Sequence, residues 1–176
     1  LGNFRVESEG KVIEKERRAF SVAGDFTVAR PHADAVIENL AVDGYPFFAG
    51  SITLEKAFEL TPEDLKPGCR IIVSFTRPDA VVTKVAVNGA APSVFLWAPY
   101  EADITAQAHA GKNTLVVTLT NSCRNQLGPH HHTVGELYSV GQFSFLKGDG
   151  SAWEDRYNLV RLGLENGIAI RVEKAL

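Results

Sequence analysis

The sequence predicts an all-β sandwich, and three observations carry that prediction: alternating apolar and polar runs recur, glycine and proline punctuate them often, and helical periodicity is scarce. Side chains alternate along a strand, so residues two apart share a face. In the run 70–75, Ile71, Val73 and Phe75 fall on one side, and Val85 and Val87 repeat the pattern before Asn88-Gly89, a pair suited to a tight turn. The clearest strand is 114–120. There Leu115, Val117 and Leu119 point one way and Thr114, Val116, Thr118 and Thr120 the other, as expected of one core face and one wet face. These eight apolar residues are the predicted inner wall. At 176 residues with 45% hydrophobic content, the chain is long enough for one sizeable core and short for two, which predicts one domain over residues 1–176.

The remaining elements follow from local pattern. Residues 1–8 suit an edge strand, and 14–18 (Glu14, Lys15, Glu16, Arg17, Arg18) form a charged, solvated face. The runs 20–22 and 26–28 flank Ala23-Gly24-Asp25 and predict a hairpin. Asp34 is placed to cap a short helix through Leu40, with Val36, Ile37 and Leu40 on one side. Over 51–60, Ile52, Leu54, Phe58 and Leu60 share a face with Lys56, so either a bulge lifts the lysine out or that face is only partly buried. Thr61-Pro62-Glu63-Asp64-Leu65 has the grammar of a helix start, which Pro67-Gly68 stops within a turn. Gly111-Lys112-Asn113 reads as a turn into the 114–120 strand, residues 142–145 as a strand, and 147–151 as an exposed loop. A closing hairpin is predicted over 158–172, with Asn166-Gly167 at its turn.

Composition excludes some function classes. The net charge is −3 with both signs interspersed, so the sequence shows no footprint for nucleic acid. It also has no apolar run of bilayer-spanning length and no signal-peptide pattern, so no membrane partner is expected. Methionine is absent altogether, which suggests a segment of a longer, multidomain protein. Cys69 and Cys123 lack metal-ligand spacing; free thiols and a disulfide both remain open, and so does the compartment.

Four pieces occur in a familiar order: Tyr45-Pro46-Phe47-Phe48-Ala49-Gly50 before the 52–60 strand, Val85-Ala86-Val87-Asn88-Gly89, Ala98-Pro99-Tyr100-Glu101-Ala102-Asp103-Ile104-Thr105, and Gly111-Lys112-Asn113-Thr114-Leu115-Val116-Val117. Over residues 44–121 this order resembles the sugar-binding jelly-roll domain of family 2 glycoside hydrolases, a galactose-binding-like β-sandwich. The segment after Asn121 departs from it and is closer to jelly rolls of bacterial glycosidase-like proteins. The resemblance implies a jelly roll with one or two short helical turns. It also implies a non-catalytic carbohydrate-binding or accessory module of a glycoside hydrolase-like protein, because the family's catalytic glutamates sit on a separate barrel domain. The alternative is a purely structural domain supporting a catalytic neighbour in the same chain. Either way the expected partners are carbohydrate, bound weakly, or that catalytic domain. No cofactor is implied.

Candidate site residues lie in two loops. Trp97 and Tyr100 suit a sugar platform, since pyranose C–H groups stack on aromatic rings while the hydroxyls need polar partners. Arg124 and Asn125 (with Gln126), His130 and His132 occupy a polar run after the 114–120 strand and offer groups to hydroxyls, or equally to the loop itself or a docked neighbour. Trp153 and Tyr157 stand in a comparable polar setting. A rival reading takes His130, His132 and Glu136 as three ligands of a cupin-like metal enzyme. Against it, no histidine follows His132 to complete a second motif, and Pro129 and Gly135 disturb a regular strand; ordinary hydrogen bonding is the plainer role. His32 and His109 receive no role, and no acidic pair has a spacing that marks it as catalytic.

Overall fold

A computed structural model describes residues 4–31, 33–147 and 152–174. In chain order the strands are β1 (Arg5–Ser8), β2 (Ile13–Glu14), β3 (Ala19–Val22), β4 (Phe26–Ala29), β5 (Ser51–Leu60), β6 (Cys69–Phe75), β7 (Val82–Val87), β8 (Ser93–Phe95), β9 (Glu101–Asp103), β10 (Gly111–Thr120), β11 (Tyr157–Val160) and β12 (Ile168–Lys174). A single α-helical turn, α1 (Arg124–Leu127), follows β10, and 3-10 turns span Pro62–Leu65 and Gln142–Phe145. Among the described residues no helix is long and apolar enough to cross a membrane. The chain forms two compact units, Leu1–Gly50 with Ser122–Leu162, and Ser51–Asn121 with Gly163–Leu176.

The second unit holds two antiparallel sheets, ordered β5-β10-β7-β8 and β12-β6-β9. All eight residues predicted to point inward lie on its inner faces; seven are buried and Phe75, at the end of β6, is half-buried. Phe75 meets Phe95 edge-on at 5.0 Å, joining one sheet to the other. The partly buried face is the correct alternative at Lys56. Pairing of β5 with β10 runs without interruption from Ser51↔Thr120 to Leu60↔Gly111, and Lys56 stands exposed on an edge strand opposite Leu115.

Two asparagines tie the turns of this unit together. Asn88 has φ 51° and Gly89 φ 75°, as the predicted turn requires. The Asn88 amide donates to Asn113 Oδ1 at 2.8 Å and its carbonyl accepts from Thr114 N at 2.9 Å. Asn113, fully buried, donates in turn to the carbonyls of His109 at 2.8 Å and Gly111 at 2.9 Å. The asparagines of the family-like pattern are thus structural. Their bonds also draw 111–113 into β10, where the sequence suggested a separate turn.

The first unit contains the sheet β11-β3-β2 and the ribbon β1-β4. Strand β3 is buried at all four positions and takes a neighbour on each side, β11 and β2. The predicted hairpin between 20–22 and 26–28 is therefore not formed, and β4 pairs with β1 instead. The closing hairpin is not formed either: β11 pairs with β3 and β12 with β6, although Gly167 does occupy a turn, donating to Leu164 O at 2.7 Å. Alternation shows that a strand exists, while its partner depends on burial across the whole unit.

Two further predictions fail locally. Residues 34–40 form turns rather than a helix, because Asp43 Oδ2 accepts the Val36 N–H at 2.7 Å and so few residues cannot offset helix nucleation. Residues 142–145 form a 3-10 turn rather than a strand; the Gly141 N–H donates to Ser144 Oγ at 3.2 Å, Ser144 N donates back to Gly141 O at 3.0 Å, and both phenylalanines stay exposed. The predicted helix start at Thr61 is present as a 3-10 turn, with Asp64 Oδ2 accepting from Thr61 N at 2.8 Å and Thr61 Oγ1 at 2.7 Å. Parts of two expectations, 1–3 of the edge strand and 148–151 of the exposed loop, lie outside the described residues.

Candidate functional site

In the first unit, α1 and the polar run after it build a closed network. Arg124 donates through Nε to both carboxylate oxygens of Glu136, at 3.0 and 2.8 Å, and through Nη1 to Asn158 O at 3.4 Å. Its Nη2 lies 3.4 Å from His132 Nε2, while His132 Nδ1 lies 2.9 Å from Val134 O. Nε2 thus faces the guanidinium, while Nδ1 faces the Val134 carbonyl and, at 3.2 Å, the Asn158 amide nitrogen. Burial pushes His132 below the ordinary histidine range, with the Arg124 charge adding to it. Asn158, fully buried, donates to His132 O at 3.1 Å and also to Val134 O.

Asn125 acts as a clip. Its amide donates to Val160 O at 2.8 Å and its carbonyl accepts from Val160 N at 2.8 Å, holding α1 against β11 as a neighbouring strand would. His130 shares Nε2–H with Asn125 O at 2.9 Å, and burial pushes its pKa down as well. Around these groups Phe47, Tyr157, His130, His131 and Trp153 form a continuous aromatic cluster, with His131 stacked on Trp153 at 4.9 Å. Sequence reasoning gave Trp153 and Tyr157 only a general place and missed Asn158, whose neighbours in sequence carry no sign of its burial. Among the described residues no group of three or more histidine, cysteine, aspartate or glutamate side chains is placed to hold a metal ion. His130, His132 and Glu136 each have the protein partners given above.

Trp97 and Tyr100 belong to the second unit and differ from one another. Tyr100 stacks on Phe75 at 5.5 Å and its carbonyl accepts from Phe75 N at 3.1 Å, so its ring packs against the end of β6. Trp97 is 73% exposed. It borders an open depression of about 520 Å³ formed by residues 93–99 and 101–103, where Ser93, Glu101 and Asp103 are the polar members. Asp103 Oδ1 accepts from Thr105 Oγ1 at 2.5 Å and Thr105 N at 3.0 Å, and Oδ2 from Arg70 Nε at 2.9 Å. The Thr105 bonds and then Arg70 hold its pKa down to about 2. Glu101 pairs with Arg171 Nη2 at 3.0 Å.

No protein-family profile and no curated protein matches the sequence. Among solved structures, a rhamnosidase from Novosphingobium sp. PP1Y matches 95% of this chain at 20% identity, with a TM-score of 0.55. The fold shared with that structure is an all-β sandwich. An FMN-binding beta-glucuronidase from Faecalibacterium prausnitzii L2-6 matches 98% of the chain at 14% identity and TM-score 0.43, and a glycosyl hydrolase family 2 member from Bacteroides cellulosilyticus matches 68% at 21% and 0.37. These two likenesses are looser, and only the rhamnosidase bears on the fold. The chain spans 16% of the rhamnosidase chain, 23% of the beta-glucuronidase and 17% of the family 2 protein.

Proposed function

We propose that the jelly roll is a non-catalytic carbohydrate-binding module of a glycoside hydrolase-type protein, with the Trp97 depression as its sugar site. The exposure of Trp97 beside Ser93, Glu101 and Asp103 is the observation that carries this reading. A pyranose laid on the indole directs its C–H groups at the ring and its hydroxyls at the serine and the carboxylates. Arg124, Asn125, His130 and His132 direct their hydrogen bonds within their own unit, so they enter the proposal as framework, and Tyr100 as a ring packed on Phe75. Glycosidic cleavage needs one carboxyl group that stays protonated to act as acid. Asp103 is held ionised and Glu101 is ion-paired, which supports a binding role over a catalytic one. So open a site implies weak binding, in roughly the micromolar to millimolar range.

The test is titration with neutral oligosaccharides while reading the indole signals of Trp97 and Trp153 separately. Saturable change at Trp97, lost in Trp97→Ala, is expected. A panel that leaves Trp97 unperturbed at high concentration rejects the binding role.

A second observation favours structural support of a catalytic neighbour. In the first unit Val134, Tyr138, Val140, Phe143, Phe145 and Leu146 are exposed within one short segment, with Phe143 at 76%. Such an apolar run suits a docking surface. If this reading holds, Phe143→Ser with Leu146→Ser leaves the circular dichroism of the isolated segment unchanged, raises its solubility and weakens its association with the rest of a parent chain. Unchanged solubility and association count against it.

A further inference from the structure

The charge around the Trp97 depression bears on which sugars enter it. Of its ten lining residues, Glu101 and Asp103 are acidic and none is basic. The two arginines that reach these carboxylates are shared with a third acid: Arg70 contacts Asp103 at 2.9 Å and Glu173 at 3.7 Å, and Arg171 contacts Glu101 and Glu173 at 3.0 Å each. Strand register produces this arrangement. Arg70 lies opposite Glu173 in the β6–β12 pair, and Asp103 lies opposite Ile72 in the β6–β9 pair. Two guanidiniums thus face three carboxylates, a surplus of one negative charge, and each arginine is already shared between two of those acids. Recognition of a carboxylate or sulfate favours a guanidinium fork that is not already neutralised by neighbouring acids.

We infer that the depression is selective for neutral pyranoses and rejects uronic acids and sulfated sugars. The inference rests on the reading of this depression as the sugar site. A neutral ring offers hydroxyl donors to Glu101 and Asp103 without adding charge. Oxidation of its exocyclic carbon to a carboxylate brings a like charge to an acidic rim whose two cations are outnumbered by the three acids they pair with, and attraction turns to repulsion. Because the rim is exposed, salt screens the effect.

The experiment titrates the protein at low ionic strength with methyl pyranosides of gluco, galacto and manno configuration, each beside its uronic acid counterpart, reading the Trp97 signal. For any configuration that binds, the neutral member is expected to bind at least about tenfold more tightly, a difference of about 1.4 kcal/mol. That gap should narrow in high salt and in Glu101→Gln, which removes one rim charge and releases Arg171. Asp103→Asn is avoided because Asp103 also holds Thr105. A uronic acid that binds as tightly as its neutral partner overturns the inference and leaves the sugar site standing. A gap indifferent to both salt and Glu101→Gln also overturns it, since selectivity would then have a cause other than charge. If no member of any pair perturbs Trp97, the sugar site fails and the inference with it.

Discussion

At the scale of single residues, the first unit depends on a few close approaches and buried polar bonds. Gly135 packs so tightly on the 15–18 segment that a Cβ there lies 1.8 Å from Glu16 O, while Glu136 N donates to the same oxygen at 3.2 Å. Backbone cannot withdraw from such an overlap without breaking that bond. Gly135→Ala is expected to lower stability by at least ~3 kcal/mol, whereas Gly141→Ala, which meets nothing within 4 Å, stays within about 0.5 kcal/mol of wild type in urea unfolding. Comparable losses for both would show that the loop does not dock as described. His130 and His132 set a pH dependence. Both have a pKa pushed below the ordinary value of 6.5 by burial and are neutral in the fold at neutral pH; Arg124 faces both with positive charge, His131 stands beside His130, and Glu136 faces His132 with negative charge. The unfolded chain therefore binds more protons once the pH falls below the unfolded histidine value, so their contribution is complete above about pH 7 and is lost as pH falls through about 6.5 toward the folded values. Thermal midpoints should be level above neutrality and decline on mild acidification, well before the carboxylate of Asp103, at about 2, takes up a proton. A flat profile down to about pH 5 contradicts this.

At the scale of elements, β10 is the member on which the four-stranded sheet is built. It pairs along its whole length with β5 and over residues 115–120 with β7, and Leu115, Val117 and Leu119 are buried beneath it. Leu119 is fully buried, so Leu119→Ala removes a side chain whose space its neighbours fill only in part. Chemical denaturation should report a loss of about 2–5 kcal/mol, and a loss under 1 kcal/mol would mean the inner face is not packed here. This strand was legible because burial on one face and water on the other write period-two alternation directly into the residues. Its start was not. Gly111 and Asn113 look like turn residues, and only the amide bonds of Asn113 to the preceding loop show why pairing already begins at Gly111. Residues 142–145 mislead in the opposite direction: Phe143 and Phe145 alternate like a strand, yet a Ser144 side-chain bond closes a turn and no strand lies alongside.

At the scale of the whole molecule, the chain places Cys69 and Cys123 as free thiols, half-buried and exposed respectively. Thiol titration of protein denatured without reductant should therefore count two groups per chain, and a count of zero would reveal a disulfide. Sequence by itself determined the all-β class, the inner wall from Ile71 to Leu119 and the Asn88-Gly89 turn. Each of these is written in local period or turn chemistry, which a dozen neighbouring residues suffice to express. Tertiary structure alone decided which strands pair, so that β3 joins β11 across more than a hundred residues rather than the adjacent β4. It alone separated Trp97, left exposed over a depression, from Tyr100, stacked against Phe75. It alone turned the Arg124 to His132 run, polar enough to suggest ligand binding, into the framework of its own unit through Glu136, Asn158 and Val160. The physical reason is common to all three: a polar or aromatic side chain has the same chemistry whether it faces water or a partner, and its burial is set by residues remote in sequence that no local pattern names.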